Sequence, residues 1–283
     1  MNKIYYFLPV FMLFFLSCVS EQGKKKEQNT IKTIPVKYAK GFTIQDYGNY
    51  KLVDMHDPSG KSQITYHYAL VDKGAKVGAI DQKYTIIQLP VTKVICMTSP
   101  QIANFIKLDA LEYIVGITST RYLFNEKLKT LLEEGKINRI GYEGNFDPET
   151  VMAMNPNLIL ISPFKRGGYE TIKNIGIPLV SFLGYKELTP LGQAEWLKLV
   201  GLFIGKYDKA VSLFNEIEAR YLALKKLAAK VDKRPTVMSG MLHSGNWYVV
   251  GGKSYIATLF KDAGANYFMR DNEESGGFYV DFE

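Results

Sequence analysis

The sequence predicts an α/β fold: two lobes with mostly parallel sheets, joined by one long helix and preceded by a β-rich segment. From residue 90 onward, short apolar strands alternate with helical stretches, the pattern of a parallel sheet covered on both faces. An apolar stripe at helical spacing then runs from Leu191 to Val231, too long for one more helix within a sheet layer. After Pro235 the strand–helix rhythm restarts.

The chain opens with a signal for export. Lys3 is followed by an apolar run from Ile4 to Leu16, broken only by Pro9, and then by Ser17-Cys18. Such a run is a secretory signal peptide, too short to be a membrane span. Phe15-Leu16-Ser17-Cys18 resembles a bacterial lipobox with Phe in place of the usual Leu, which makes Cys18 the expected lipid attachment site. Residues 19–40 read as a flexible tether, because Glu21-Gln-Gly-Lys-Lys-Lys-Glu-Gln-Asn has nothing apolar to bury. Residues 21–40 hold six Lys against two Glu, so four of the seven net positive charges belong to the tether. The remaining body is only mildly basic, which argues against nucleic acid as a partner. A basic tether beside an anionic lipid surface accounts for the charge. The other cysteine, Cys96, lies in Val94-Ile-Cys-Met and reads as a small buried hydrophobe. With Cys18 lipidated, no intramolecular disulfide forms, and the core must hold the body together.

Residues 41–190 contain the β segment and the first lobe. Tyr50-Lys-Leu-Val-Asp, Ile64-Thr-Tyr-His-Tyr-Ala-Leu-Val and Tyr84-Thr-Ile-Ile-Gln-Leu are strands separated by Asp-Pro-Ser-Gly and Lys-Gly-Ala-Lys turns. Lys93–Met97, Tyr113–Ile117, Leu158–Ile161 and Pro178–Ser181 read as the strands of the first lobe. Pro100–Leu108, Glu126–Glu134, Pro148–Met154 and Tyr169–Asn174 read as its helices. Residues 191–233 read as the bridging helix, kinked or split at Gly205; the part from Lys206 to Val231 alone would span roughly 40 Å. Residues 234–283 read as the start of a second lobe. Thr236-Val-Met-Ser and Trp247-Tyr-Val-Val are its strands, and Ser254–Ala263 is a helix capped by Ser254 and ended by Gly264. A full second lobe would need about a hundred residues more. The expectation is therefore a truncated sequence whose 1–283 fragment binds ligand poorly.

Several stretches resemble the substrate-binding proteins of iron-siderophore, haem and cobalamin ABC importers, from residue 38 to 283. They are Val94-Ile-Cys-Met-Thr-Ser-Pro-Gln-Ile, Leu111-Glu-Tyr-Ile-Val-Gly-Ile-Thr, and Gly144-Asn-Phe-Asp-Pro-Glu-Thr-Val-Met-Ala-Met-Asn-Pro-Asn-Leu-Ile-Leu-Ile. Further along are Pro190-Leu-Gly-Gln-Ala-Glu-Trp-Leu-Lys, and Trp247-Tyr-Val-Val-Gly-Gly-Lys-Ser-Tyr-Ile-Ala with Asp262-Ala-Gly-Ala-Asn-Tyr. The family usually has Pro-Asp-Leu where this chain has Pro156-Asn157-Leu158. The resemblance implies two Rossmann-like α/β lobes on a rigid helix, a permease and an ATPase as partners, and an envelope location through the lipid anchor, on the periplasmic or extracellular face. It implies a monomer with no cofactor, whose ligand is an iron chelate, with haem or cobalamin as alternatives. It also implies a docking glutamate on each lobe: by position Glu149, after Asp147-Pro148, and Glu283, after Tyr279-Val-Asp-Phe.

Catalytic signatures are few. Gly252-Lys253-Ser254 ends like a phosphate-binding loop, but position 247, where the earlier glycine belongs, is Trp. His56, His67 and His243 are scattered, whereas a dedicated metal site needs clustered ligands. Ligands of open α/β sheets bind at the carboxyl ends of strands. There the sequence places Arg121-Tyr122, Tyr142, Lys165-Arg166 and Tyr185, with His243 and Trp247 facing them from the second lobe. Aromatics interspersed with cations suit a bulky anionic chelate. The alternative from another class is a surface lipoprotein hydrolase using Glu143, Asp147 and Glu149. Those residues also fit the first turn of a helix, where the dipole favours acids.

Overall fold

Alternating burial builds the first sheet. The structure, a computed structural model, describes residues 31–118, 124–142, 145–163 and 169–281. Strands β1 (Lys32–Ile34), β2 (Phe42–Asp46), β3 (Tyr50–His56), β4 (Thr65–Asp72) and β5 (Thr85–Leu89) pair in chain order, antiparallel except for the parallel β4–β5 pair. Phe42, Ile44, Val53 and Met55 point inward and are buried, while Thr43 and Gln45 face out.

The folded body begins earlier than the sequence indicates. Residues 32–40, assigned above to the tether, form β1 and a segment clipped to a later helix. The Glu195 carboxylate accepts the backbone N–H groups of Lys37, Tyr38 and Ala39, and Glu187 accepts those of Lys40 and Gly41. The partners lie about 150 residues away in sequence, so local composition carries no sign of them.

The parallel sheet follows in chain order. Strand β6 (Val94–Cys96) leads to helix α1 (Ser99–Lys107), β7 (Ile114–Ile117), α2 (Glu126–Glu133) and β8 (Asn138–Arg139). A short antiparallel hairpin, β9 (Gly141–Tyr142) with β10 (Asn145–Phe146), precedes α3 (Pro148–Ala153), β11 (Leu158–Ile161), α4 (Glu170–Lys173) and β12 (Leu179–Ser181). The sheet order is β12-β11-β6-β7-β8, parallel throughout. Every residue of β6 and β11 is buried, as expected for strands covered on both faces. Cys96 is fully buried and burial pushes its thiol up, as suits a packing residue.

The long helical stretch divides into α5 (Pro190–Phe203) and α6 (Tyr207–Ala228), with Gly205 at φ +70° in the break. The two have different environments. From Leu191 to Phe203, α5 is buried nearly all round, which makes it a core helix. Only Ala210 and Phe214 of α6 are fully buried, and its 22 residues span about 33 Å. At the crossing, a Cβ on Gly201 would sit 2.5 Å from Cβ of Ala210. Gly201→Ala is therefore expected to cost about 1–3 kcal/mol through overpacking, measured as a lower urea midpoint at unchanged slope.

Beyond α6 come β13 (Thr236–Val237), β14 (Met241–His243), β15 (Asn246–Val250), α7 (Tyr255–Asp262), β16 (Asn266–Tyr267) and β17 (Gly277–Val280). β13 and β16 pair in parallel, whereas β14, β15 and β17 form an antiparallel sheet. Ser254 caps α7 by accepting the Ala257 N–H, and Gly264 ends it at φ +83°.

Candidate functional site

The carboxyl ends of β6, β7, β11 and β12 form one rim, and side chains hold it beyond the sheet. Oε1 of Gln101 accepts the N–H groups of Met97 (2.7 Å) and Thr98 (3.1 Å). Thr118 Oγ1 donates to the Met97 carbonyl at 2.8 Å, and the Tyr169 hydroxyl donates to the Ser162 carbonyl at 2.8 Å. Tyr169 is fixed in turn by stacking on Phe146.

Beside this rim lies a cleft of about 390 Å³. It is lined by Pro100, Asn104 and Lys107 of α1, Phe182 and Tyr185 after β12, Gln193 and Leu197 of α5, and Ile217 of α6. Tyr255, the first residue of α7, reaches it from the carboxy-terminal elements, and burial raises its phenol pKa. Among the described residues, no carboxylate lines the cleft. Rings, two amides and one ammonium suit an apolar body that carries negative charge.

The predicted residues are distributed unevenly. Tyr185 lines the cleft. Arg121, Tyr122, Lys165, Arg166, Glu143, Glu283 and Cys18 lie outside the described residues. Tyr142 is in β9, paired with Asn145. His243 and Trp247 sit on the β14–β15 hairpin, His243 against the Tyr279 ring at 6.1 Å and Trp247 against the Gly240 backbone. Neither lines the cleft around Tyr185. Glu149 is exposed in the first turn of α3.

Other signals are taken up structurally. Asp147 accepts the N–H groups of Glu149 and Thr150 and the Thr150 hydroxyl, and these bonds, the hydroxyl's first, hold its pKa down. It is the cap of α3, with its lone pairs already engaged. His67 bonds to Asp54 at 2.7 Å. The Gly252 backbone packs against the carbonyls of Met269 and Arg270, where a Cβ would come within 2.5 Å. Carbonyl oxygens there would repel a phosphate.

Sequence reading missed Tyr255, Lys107 and Gln101. Gln101 carries a local signal, the Thr98-x-x-Gln101 spacing of a capping box. Lys107 and Tyr255 become neighbours only through packing.

A cleft beside the carboxyl ends of a parallel sheet, lined by rings and reached by Tyr255 of α7, is the geometry of a small-molecule binding protein. The chain belongs to the periplasmic binding protein family, whose model matches residues 94–283. It is 26% identical over 220 residues to the uncharacterized lipoprotein MJ0878 of Methanocaldococcus jannaschii, covering 72% of this chain and 51% of that protein. The chain thus spans about half the length of that curated relative. Two solved structures share the fold. One is an ABC-type Fe3+-hydroxamate transport protein of Saccharomonospora viridis, with a TM-score of 0.53, 19% identity, and 68% of this chain and 69% of that one covered. The other is the periplasmic haem-binding protein HutB of Vibrio cholerae, with a TM-score of 0.54, 16% identity, and 67% and 70% covered.

Proposed function

We propose that this protein is the substrate-binding component of an ABC importer. It captures a metal chelate, a ferric siderophore first and haem or cobalamin as alternatives, and delivers it to a membrane permease. The observation that carries this reading is the cleft lined by Tyr185, Tyr255 and Lys107, which no carboxylate lines among the described residues. Arg121, Tyr122, Tyr142, Lys165 and Arg166 complete the ligand set on this proposal, and the cations favour an anionic chelate over cobalamin; His243 and Trp247, on the β14–β15 hairpin, stand outside the cleft. Cys18 carries the lipid that holds the protein at the cell envelope, and the tether before β1 gives it reach. The fold neighbours, one of an Fe3+-hydroxamate transport system and one a haem-binding protein, support the ligand class.

The test is thermal unfolding of the full-length protein with ferrichrome, haemin and cobalamin. A bound ligand at a hundred times its Kd adds about 2.7 kcal/mol. For a domain of this size that is an upward Tm shift of about 5–10 °C. No shift with any of the three rules the proposal out.

A further inference from the structure

The backbone ladder between β6 and β11 ends at the Cys96–Leu160 pair, and that between β6 and β7 at Cys96–Ile117. One residue past the pair on β6 and two past it on β11, buried backbone groups still need partners. The Met97 N–H goes to Gln101 and its carbonyl to Thr118, while the Ser162 N–H and carbonyl go to the Tyr169 hydroxyl. The Thr118 bond ties the end of β7 to that of β6, and Tyr169 satisfies the end of β11 by itself. One further bond brings in the end of β11: Nε2 of Gln101, whose Oε1 holds Met97, donates to Oγ of Ser162 at 3.3 Å, across 61 residues of sequence. Both residues are 1% exposed. A buried amide that caps its own helix has no local need to reach a neighbouring strand.

We propose that Gln101 is a positioning residue of the binding cleft, locking the carboxyl ends of β6 and β11 into one geometry before ligand arrives. This builds on the binding function proposed above. A rim held in its bound geometry avoids the loss of affinity that follows when only a fraction of molecules is competent to bind.

The decisive variant is Ser162→Ala in the full-length protein. It removes the cross-strand bond and leaves the Gln101 bonds to Met97 and Thr98 in place. With ferrichrome, haemin or cobalamin as probe, whichever the wild type binds, Kd is expected to rise roughly threefold to tenfold, the range one neutral hydrogen bond commands. Adding Gln101→Met should cost no further affinity through this link, so the two changes should be non-additive. Gln101→Glu keeps the acceptors for both N–H groups and can accept the Ser162 hydroxyl, so it should retain wild-type Kd. Amide exchange at Met97 and Ser162, measured without ligand, should accelerate in Ser162→Ala and not in Gln101→Glu. A lower Tm in Ser162→Ala with unchanged Kd and unchanged exchange at these amides would reduce the bond to ordinary core packing and overturn the proposal. If the wild type binds none of ferrichrome, haemin and cobalamin, the binding function itself falls, and the exchange measurement alone decides the positioning role.

Discussion

Replacing Glu195 with alanine is expected to destabilise the protein by about 3–5 kcal/mol, read from urea unfolding. Glu195 is fully buried, and its carboxylate accepts three successive backbone N–H groups and the Lys198 ammonium at 2.6 Å. Alanine would leave the largely buried Lys198 and three donors without that partner. Glu195→Gln keeps the shape and should cost about 1–3 kcal/mol. Two opposing pH dependences follow. Burial pushes the Glu195 carboxyl up, but the bonds from Lys198 and the backbone outweigh it, so its pKa is lowered in the fold from 4.5. Its stabilisation is present above that value and is lost as pH falls through the lowered one. In Glu187, burial dominates over the bonds from Trp196, Gly41 and Lys40, and the pKa is raised from 4.5. The stability linked to its protonation is full below 4.5 and is lost as pH rises through the raised value. Glu195→Gln should therefore be most costly at neutral pH, and Glu187→Gln at about pH 4. Equal pH slopes for the two variants would show that the carboxylates are not separately tuned.

The second large effect is on transport. On the proposed docking role, Glu149→Lys with Glu283→Lys should leave ligand Kd unchanged and lower uptake by cells about tenfold or more, since reversed charges meet the permease arginines. The Asp147 cap fixes the helix start on which Glu149 stands exposed. Such a carboxylate can offer both oxygens to a guanidinium. The rival explanation is that acids in a first turn only favour the helix dipole, at roughly 0.3–1 kcal/mol each. In that case the double variant loses a little stability and transports normally.

Most elements were legible in the chain. Leu158-Ile-Leu-Ile between turn residues could be little else than a buried strand, and Ser254 with Gly264 bracketed α7 to within a residue. The division of the long helical stretch was legible only as the possibility that Gly205 offered. α5 and α6 carry the same apolar spacing, and what separates them is which neighbours they meet. The candidate site was less legible. Tyr185 was found because it follows a strand, where sheet topology alone brings ligands. Lys107 lies on the outer face of a helix and Tyr255 opens another helix more than a hundred residues later. Nothing in the spacing of either marks it as a cleft residue.

By itself the sequence determined the pattern of burial: which strands lie inside a covered sheet, where helices start and stop, and that Cys96 is a core residue. These follow from side-chain periodicity and capping, which act over a few residues. Only the tertiary structure decided where folded chain begins and what faces the cleft. Residues 37–41 are ordered by carboxylates of Glu187 and Glu195 far along the chain, and the cleft joins α1, α5, α6 and α7. Both depend on contacts between segments distant in sequence, which no local pattern encodes.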